Sequence, residues 1–271
     1  MRPIRLCDHG SMGELFEPTL DQILAFCAED PVERVFLEDI ARRGLGRFSA
    51  TAEQGERLSA LCHVGANVFP SGNGCGSFAH VASRGRPRMI IGYEQPVADL
   101  WRELAPRLPA PREDRPAQPV YVIDDPPEPG HSGLRLATER DCVLLLPACA
   151  AAHEEEIGVD PMKHDADSFR WRTHAQIEQR RSWLWVEDGV ILFKAEASAW
   201  TPSVIQLQQV WVDPPARNRG YAQRGIRDLI RLLLEQAATV CLFVRPENAP
   251  AIRVYEAVGM RRCGAYRSLI F

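Results

Sequence analysis

The sequence lacks an uninterrupted apolar run of the ~20 residues that a membrane-crossing helix needs, which argues against a helical membrane protein. The opening stretch Met1-Arg-Pro-Ile-Arg-Leu-Cys-Asp8 carries no signal-peptide core, so a cytoplasmic protein is expected. No Cys-x-x-Cys pair occurs among the eight cysteines, and Cys62, Cys142 and Cys241 sit in apolar runs. Reduced core thiols are therefore expected instead of a disulfide framework. His9, His63, His80, His131, His153, His164 and His174 give no His-x-x-x-His spacing and no pairing with cysteine, so no metal site is expected. A Gly-x-Ser-x-Gly elbow and a Walker lysine are both missing, which removes the usual signatures of serine hydrolases and P-loop nucleotidases. Charge of one sign is not in excess either. With 32 Lys and Arg against 36 Asp and Glu, the net charge of −4 argues against a general nucleic-acid binder.

What is present is a mixed α/β pattern, long enough at 271 residues for two modest domains or one large one. The stretch Val210-Trp-Val-Asp-Pro-Pro-Ala-Arg-Asn-Arg-Gly-Tyr-Ala222 is the most informative. It reads as a strand ending in prolines, a basic turn at Gly220, and the start of a helix. Backbone N–H groups converging at a helix N-terminus make a seat for a diphosphate, and Arg217 and Arg219 add positive charge. The helix is marked by Ala222, Ile226, Leu229, Ile230, Leu233 and Ala237 at three- and four-residue spacing. A buried-looking strand, Val240–Val244, follows. Asn248 then suits an N-cap, Pro250 a first helical turn, and Gly259 a C-terminal stop. A nucleotide-like cofactor is implied.

These motifs resemble those of the GNAT superfamily of N-acetyltransferases. The family's Gln/Arg-x-x-Gly-x-Gly/Ala signature is matched by Arg217-Asn-Arg-Gly220-Tyr-Ala222, and its preceding Val-x-Pro-x-x-Arg by Val212, Pro214 and Arg217. The later Asn-x-x-Ala-x-x-x-Tyr-x-x-x-Gly-Phe is matched by Asn248, Ala251, Tyr255 and Gly259, with Met260 in place of Phe. Asn218 stands where the family usually has Gly, and Asn is the residue next best able to adopt a left-handed conformation. The resemblance implies an α/β (α+β mixed sheet) C-terminal GNAT fold and acetyl-CoA as co-substrate. It implies a cofactor seat built from Val210, Trp211, Val212, Arg217, Asn218, Arg219, Gly220, Tyr221, Ala222 and Asn248.

Asp124-Asp-Pro-Pro-Glu-Pro-Gly-His-Ser-Gly133 suggests a seam, giving domains 1–130 and 131–271. In the second, Leu134–Ala137 reads as a strand, and Thr138 with Asp141 caps a helix that Pro147 must kink or restart before Glu156. Ala166, Phe169, Thr173 and Ile177 mark another helix. Ser182–Glu187 and Val190–Ala197 form a hairpin through Asp188-Gly189, and Val204–Val212 enters the phosphate turn. Arg261–Phe271 supplies the last one or two strands. In the first domain, Leu15–Ala28 and Val32–Arg43 look helical. Arg57–Phe69 looks like a strand with a tail, Ser77–Arg84 a helix, Met89–Tyr93 a strand and Pro96–Leu104 a helix. This half repeats the order strand, turn, helix, strand, helix. Its turn Pro70-Ser-Gly-Asn-Gly-Cys-Gly76 has no flanking arginines. It is either a diverged GNAT-like half that has lost cofactor binding or an unrelated α/β domain. The whole chain also resembles two-domain proteins in which an uncharacterised N-terminal domain precedes a GNAT domain. Gly65-Ala-Asn-Val68, Arg115-Pro-Ala-Gln-Pro119, Glu155-Glu-Ile-Gly158 and Phe193-Lys-Ala-Glu196 carry that likeness.

The chemistry implied is attack of an amine, from a small molecule or a protein, on the acetyl thioester. Tyr255 stands where the family's motif has a tyrosine that protonates the departing thiolate; a core tyrosine is the alternative. Glu196, a carboxylate in an otherwise apolar strand, is the first candidate for the base. By alternation it shares a face with Lys194, Leu192 and Val190, so a Lys194-linked surface face is the alternative. Within His153-Glu-Glu-Glu156, Glu155 is a candidate for binding a cationic substrate, against a solvated helix end. Gln206 and Gln208 share a face and could orient the substrate, and the Phe271 carboxylate is a third candidate base. The tryptophans gathered in the second half serve either the core or an acceptor pocket. Two functions are expected to compete: an acyl-CoA-dependent N-acyltransferase, and a catalytically silent CoA-binding sensor or interaction protein.

Overall fold

The computed structural model describes residues 14–52 and 57–271. The expectation resting on Met1–Asp8 lies outside them. The chain divides into two compact units: residues up to Glu33, with Ile40–Pro116 and Arg267–Phe271, form one, and Arg34–Asp39 with Ala117–Tyr266 form the other.

The first unit opens with α1 (Leu20–Glu29) and then α2 (Val35–Arg42), the latter contributing residues to both units. Thr19 and Gln22 form a reciprocal capping box that starts α1. The helix therefore begins later than Leu15, and Phe16 instead bridges to Ala50 as extended chain. Strands β1 (Arg47–Ala52), β2 (Leu58–Val64) and β3 (Asn67–Gly72) pair antiparallel in turn. The single strand expected over Arg57–Phe69 is thus a hairpin, folded at Gly65-Ala66. A one-turn 3-10 helix (Cys75–Phe78) leads into α3 (Ala79–Arg84), and then come β4 (Met89–Tyr93) and α4 (Glu94–Leu104). β3 and β4 are parallel. Val68, Phe78, Ala82, Ile90, Val97, Leu100 and Leu104 form the core of this unit.

The next strand, β5 (Glu113–Ile123), contributes residues to both units. The second unit continues with β6 (Leu134–Leu136), α5 (Cys142–Ile157), α6 (Pro161–His164), α7 (Ala166–Glu178) and β7 (Ser182–Glu187). It then runs through β8 (Val190–Trp200), β9 (Val204–Val212), α8 (Tyr221–Leu234), β10 (Thr239–Phe243), α9 (Ala249–Ala257) and β11 (Arg261–Ile270). Its sheet is mixed, in the order β11-β5-β10-β9-β8-β7-β6. β9 and β10 are parallel, while the β5–β10 pair and the successive pairs from β9 to β6 are antiparallel.

Helices cover both faces of this sheet, so its strands are apolar on both sides. On one face Phe193, Ala195, Ile205 and Leu207 meet Ile226, Leu229, Ile230 and Leu233 of α8 and Val258 after α9. On the other, Leu184, Ile191 and Trp211 meet Leu145, Ala148, Cys149 and Ala152 of α5, with Phe169 and Ile177 of α7. Simple alternation along β8 fails near its start. The pairing skips Leu192 as it passes from Trp185↔Phe193 to Val186↔Ile191, and this shift moves Ile191 to the α5 face.

Pro147 does not interrupt or restart α5, which runs unbroken from Cys142 to Ile157. Proline removes the hydrogen bond to the carbonyl four residues back, here that of Val143. Val143 is 77% exposed, so its carbonyl can turn to water. The proline-rich seam near residue 130 lies inside the second unit and is fastened to α8. Asp228 accepts the Gly130 and Ser132 N–H groups at 2.7 Å each, and Arg231 donates to the Pro127 carbonyl at 2.8 Å.

Candidate active site

β9 stops pairing with β10 well before it reaches the Arg217–Ala222 turn. Their parallel ladder covers Val204 to Gln206 and ends at Gln206↔Cys241, six residues before β9 ends at Val212. Leu207–Val212 remains paired to β8 on its other side. Beyond Gln206, therefore, the edge of β9 facing β10 offers backbone N–H and C=O groups to a ligand. A bulge bends β9 in this stretch. The pairing shifts between Lys194 and Glu196 of β8, and Gln209 takes a left-handed φ of 52°. Such a backbone for a non-glycine residue stores strain, and strain of this kind gathers at ligand sites.

After β9, the exposed Arg217–Gly220 turn places Asn218 at φ 62° and Gly220 at φ 82°. Asn218 thus adopts the left-handed conformation expected of it. A side chain at Gly220 would meet no atom within 4 Å, so glycine is needed there for its backbone conformation and to let a ligand approach the main chain. Gly220 is also the N-cap of α8, and no side chain caps that helix. Side chains do cap α1, α6, α7 and α9. The first amides of α8 and its dipole consequently point at solvent, as an anion seat requires. These features fit the diphosphate and pantetheine arm of a coenzyme A thioester.

The other residues singled out from the sequence fall on both sides of this seat. Tyr221 begins α8 and packs edge-on against Trp185, with ring centroids 4.9 Å apart. Asn248 spends its side chain on capping α9, accepting the Ala251 N–H at 3.2 Å. Tyr255 sits nearly two turns into α9 and is buried, and burial followed by the Glu156 charge pushes its phenol up, so it stays protonated. Trp183, Trp185 and Trp211 belong to the core, whereas Trp171 is exposed on α7.

Glu196 is not on a surface face. Fully buried Lys194 donates to its Oε1 at 2.8 Å, the Cys149 thiol of α5 donates to the same oxygen at 3.2 Å, and Gln208 Nε2 donates to Oε2 at 3.4 Å. Burial pushes the carboxyl up, but the Lys194 ammonium and these hydrogen bonds outweigh it and hold Glu196 ionised. The same pair keeps Lys194 charged against its own burial, while burial pushes the Cys149 thiol up to about 12. Gln206, 1% exposed, has no free face: its amide donates to Ser198 Oγ and its oxygen faces the Cys241 thiol. Gln206 is thus bonded within the sheet and not presented on an open face.

Glu155 lies exposed in the last turn of α5, but it is paired. Both its oxygens accept from an Arg217 terminal nitrogen at 2.8 Å, and Trp211 Nε1 donates to Oε1 at 3.3 Å. Glu156 accepts from Gln209 at 2.8 Å. The sequence put Lys194 beside Glu196, but the burial of the pair and its partner Cys149 were missed. The signal available was the pair of charges in Phe193-Lys-Ala-Glu196, since charged side chains inside a buried strand need partners.

In the first unit, Pro70–Gly76 runs from the end of β3 into the 3-10 turn before α3, as the Arg217–Ala222 segment leads from β9 into α8. Acidic side chains lie beside Pro70–Gly76, and burial, helped by the Asp99 and Glu33 charges, pushes up the thiol of Cys75 within it. A side chain at Gly76 would strike Glu103 at 2.9 Å, and Ser71 donates to Glu33 at 2.6 Å. Acidic neighbours repel a diphosphate.

Among the described residues, no helix is long and apolar enough to cross a membrane, and no group of three or more His, Cys, Asp or Glu could hold a metal ion. The seven described cysteines are free thiols.

Comparisons agree with this arrangement. The profile of the acetyltransferase (GNAT) family matches residues 147–260, and that of a domain of unknown function (DUF4081) matches residues 47–143. The chain therefore carries a C-terminal GNAT acetyltransferase domain preceded by a DUF4081 domain. A GNAT-family acetyltransferase from Colwellia psychrerythraea has a similar fold, with TM-score 0.60 and 11% identity over 95% of this chain and 99% of its own. A GCN5-related N-acetyltransferase from Sphaerobacter thermophilus gives 0.58 and 15% over 95% of each chain. A tandem GNAT protein from the clavulanic acid biosynthesis pathway gives 0.55 and 13% over 95% of this chain and 98% of its own. No curated protein matches.

Proposed function

We propose that the protein is a cytoplasmic N-acetyltransferase that moves an acetyl group from acetyl-CoA to an amine of a small molecule or a protein. The observation that carries this reading is the conjunction of the β9 edge freed after Gln206 with the uncapped N-terminus of α8 at Gly220. Acetyl-CoA supplies an activated thioester. The amides of Asn218–Ala222 and the α8 dipole hold the diphosphate, with Arg217 and Arg219 adding charge. The edge of Val210–Val212 pairs with the pantetheine arm, and an N–H from it faces the acetyl oxygen, where negative charge develops. Tyr255, kept protonated by its surroundings, donates to the departing sulfur. Glu196, kept ionised by Lys194, accepts the amine proton through Oε2, the oxygen that Lys194 leaves free. The first unit is a non-catalytic GNAT-like half whose turn takes no coenzyme, a reading supported by Glu33 and Glu103 around it.

A second reading is a coenzyme-binding sensor without turnover. The ion pair favours it, because a carboxylate held low by an ammonium is a weak base. Calorimetric titration with coenzyme A tests what both share: uptake is expected, Gly220→Ala should weaken it by straining the left-handed backbone, and Gly220→Glu should abolish it. No uptake by the parent protein overturns both readings. Release of free thiol with lysine peptides, N-terminal peptides, polyamines or aminoglycosides, reduced in Tyr255→Phe, separates the enzyme from the sensor.

A further inference from the structure

The C-terminal turn of α5 is joined to the coenzyme seat by four contacts. The Glu155 carboxylate takes the Arg217 guanidinium and the Trp211 indole N–H, and the Glu155 carbonyl accepts from Arg245, which follows β10, at 3.4 Å. Glu156 holds the side chain of strained Gln209. The turn therefore touches the released half of β9, the phosphate turn and the segment after β10. Arg217 is further committed through Nε, which donates to the Val212 carbonyl at 3.1 Å. A guanidinium whose terminal nitrogen already meets a carboxylate offers less net charge to a phosphate, so the two anions compete for it.

We infer that Glu155 is an internal competitor for the coenzyme's diphosphate, and that coenzyme entry loosens the end of α5 by taking over Arg217, one of its four contacts. This rests on the acetyl-CoA reading above. The competition has a definite chemistry. Glu155 presents two oxygens to one terminal nitrogen of Arg217, the kind of contact a phosphate oxygen makes. Both side chains are 43–47% exposed, so the pair is screened and exchangeable, as a gate must be. The Val212 carbonyl keeps Arg217 pointed at the seat while its partner changes.

The test is calorimetry on the full chain with two probes, coenzyme A and pantetheine, the second lacking the diphosphate. Glu155→Gln keeps the size and the acceptor for Trp211 but removes the charge, and should bind coenzyme A about fivefold more tightly. Pantetheine binding should stay the same. Arg217→Gln should weaken coenzyme A, and adding Glu155→Gln to it should change nothing more, since the competition acts through that guanidinium. Hydrogen exchange supplies an independent readout, in which amides of residues 153–158 should exchange faster when coenzyme A is added. Unchanged or weaker coenzyme A binding in Glu155→Gln, with the parent binding normally, overturns the gate and leaves the acetyl-CoA reading intact. Protection of residues 153–158 by coenzyme A does the same. Failure of the parent to bind coenzyme A at all removes both.

Discussion

The ammonium of Lys194 lies 2.8 Å from the Glu196 carboxylate, with the lysine fully buried between α5 and the sheet. Removing one member of a buried pair leaves the other without compensation. Lys194→Met should therefore cost about 3 kcal/mol at neutral pH, read as a lower urea midpoint. Without the ammonium, burial raises the Glu196 carboxyl above its unfolded value. The deficit should then shrink as pH falls and the carboxyl is protonated. Adding Glu196→Gln should recover much of the loss. A single variant as stable as the parent would show that the pair is not buried in solution.

Gly225 illustrates how closely α8 approaches the sheet. A Cβ there would lie 2.6 Å from the Phe193 ring, whose side chain is fully buried. Gly→Ala favours a helix intrinsically by about 1 kcal/mol, but overpacking a filled core costs about 1–3 kcal/mol. Gly225→Ala should thus be net destabilising, and a melting temperature at or above the parent's would count against this contact. Gly225→Ala with Phe193→Leu, which makes room, should be less impaired than Gly225→Ala alone.

The second unit was legible because its signals are local. Asn248, Pro250 and Gly259 bracket α9, and hydrophobic spacing defines α8, so both helices fall close to where the sequence puts them. The phosphate turn was legible for the same reason, since its conformation depends on Asn218 and Gly220 themselves. β1 and β5 were not recognised. β5 begins Glu113-Asp-Arg-Pro-Ala-Gln-Pro, a polar stretch with two prolines that no propensity marks as a strand, and only its place between β11 and β10 makes it one. The part of Cys149 in the Lys194–Glu196 cluster was hidden because Cys149 lies 45 residues from Lys194. Sequence spacing cannot reveal contacts that the packing of α5 creates.

Asn218 occupies the left-handed position that glycine usually fills in this turn. Asn218→Gly should leave coenzyme A affinity within about twofold, because the backbone keeps its conformation. Asn218→Val should weaken it by about tenfold, since a β-branched residue there costs about 1–2 kcal/mol. Calorimetry on the two variants checks this, and equal affinities would remove the conformational argument.

Asp228 converts a proline-rich connection into part of the domain, because its carboxylate gathers the Ser132 hydroxyl and the Ser132 and Gly130 amides. Burial pushes its carboxyl up, but those hydrogen bonds outweigh burial and hold it below the ordinary range. A folded value below the unfolded one, about 3.9, means the stabilisation is complete above that value. It is lost as pH falls through the folded value. Asp228→Ala should cost about 2 kcal/mol at neutral pH, as charged hydrogen bonds do. It should also expose residues 124–133 to faster proteolysis. In acid the difference between variant and parent should narrow, because the parent then loses the same contribution. Urea midpoints of the two proteins across the acid range check the sign: a gap that widens as pH falls would mean the Asp228 carboxylate does not hold the connection.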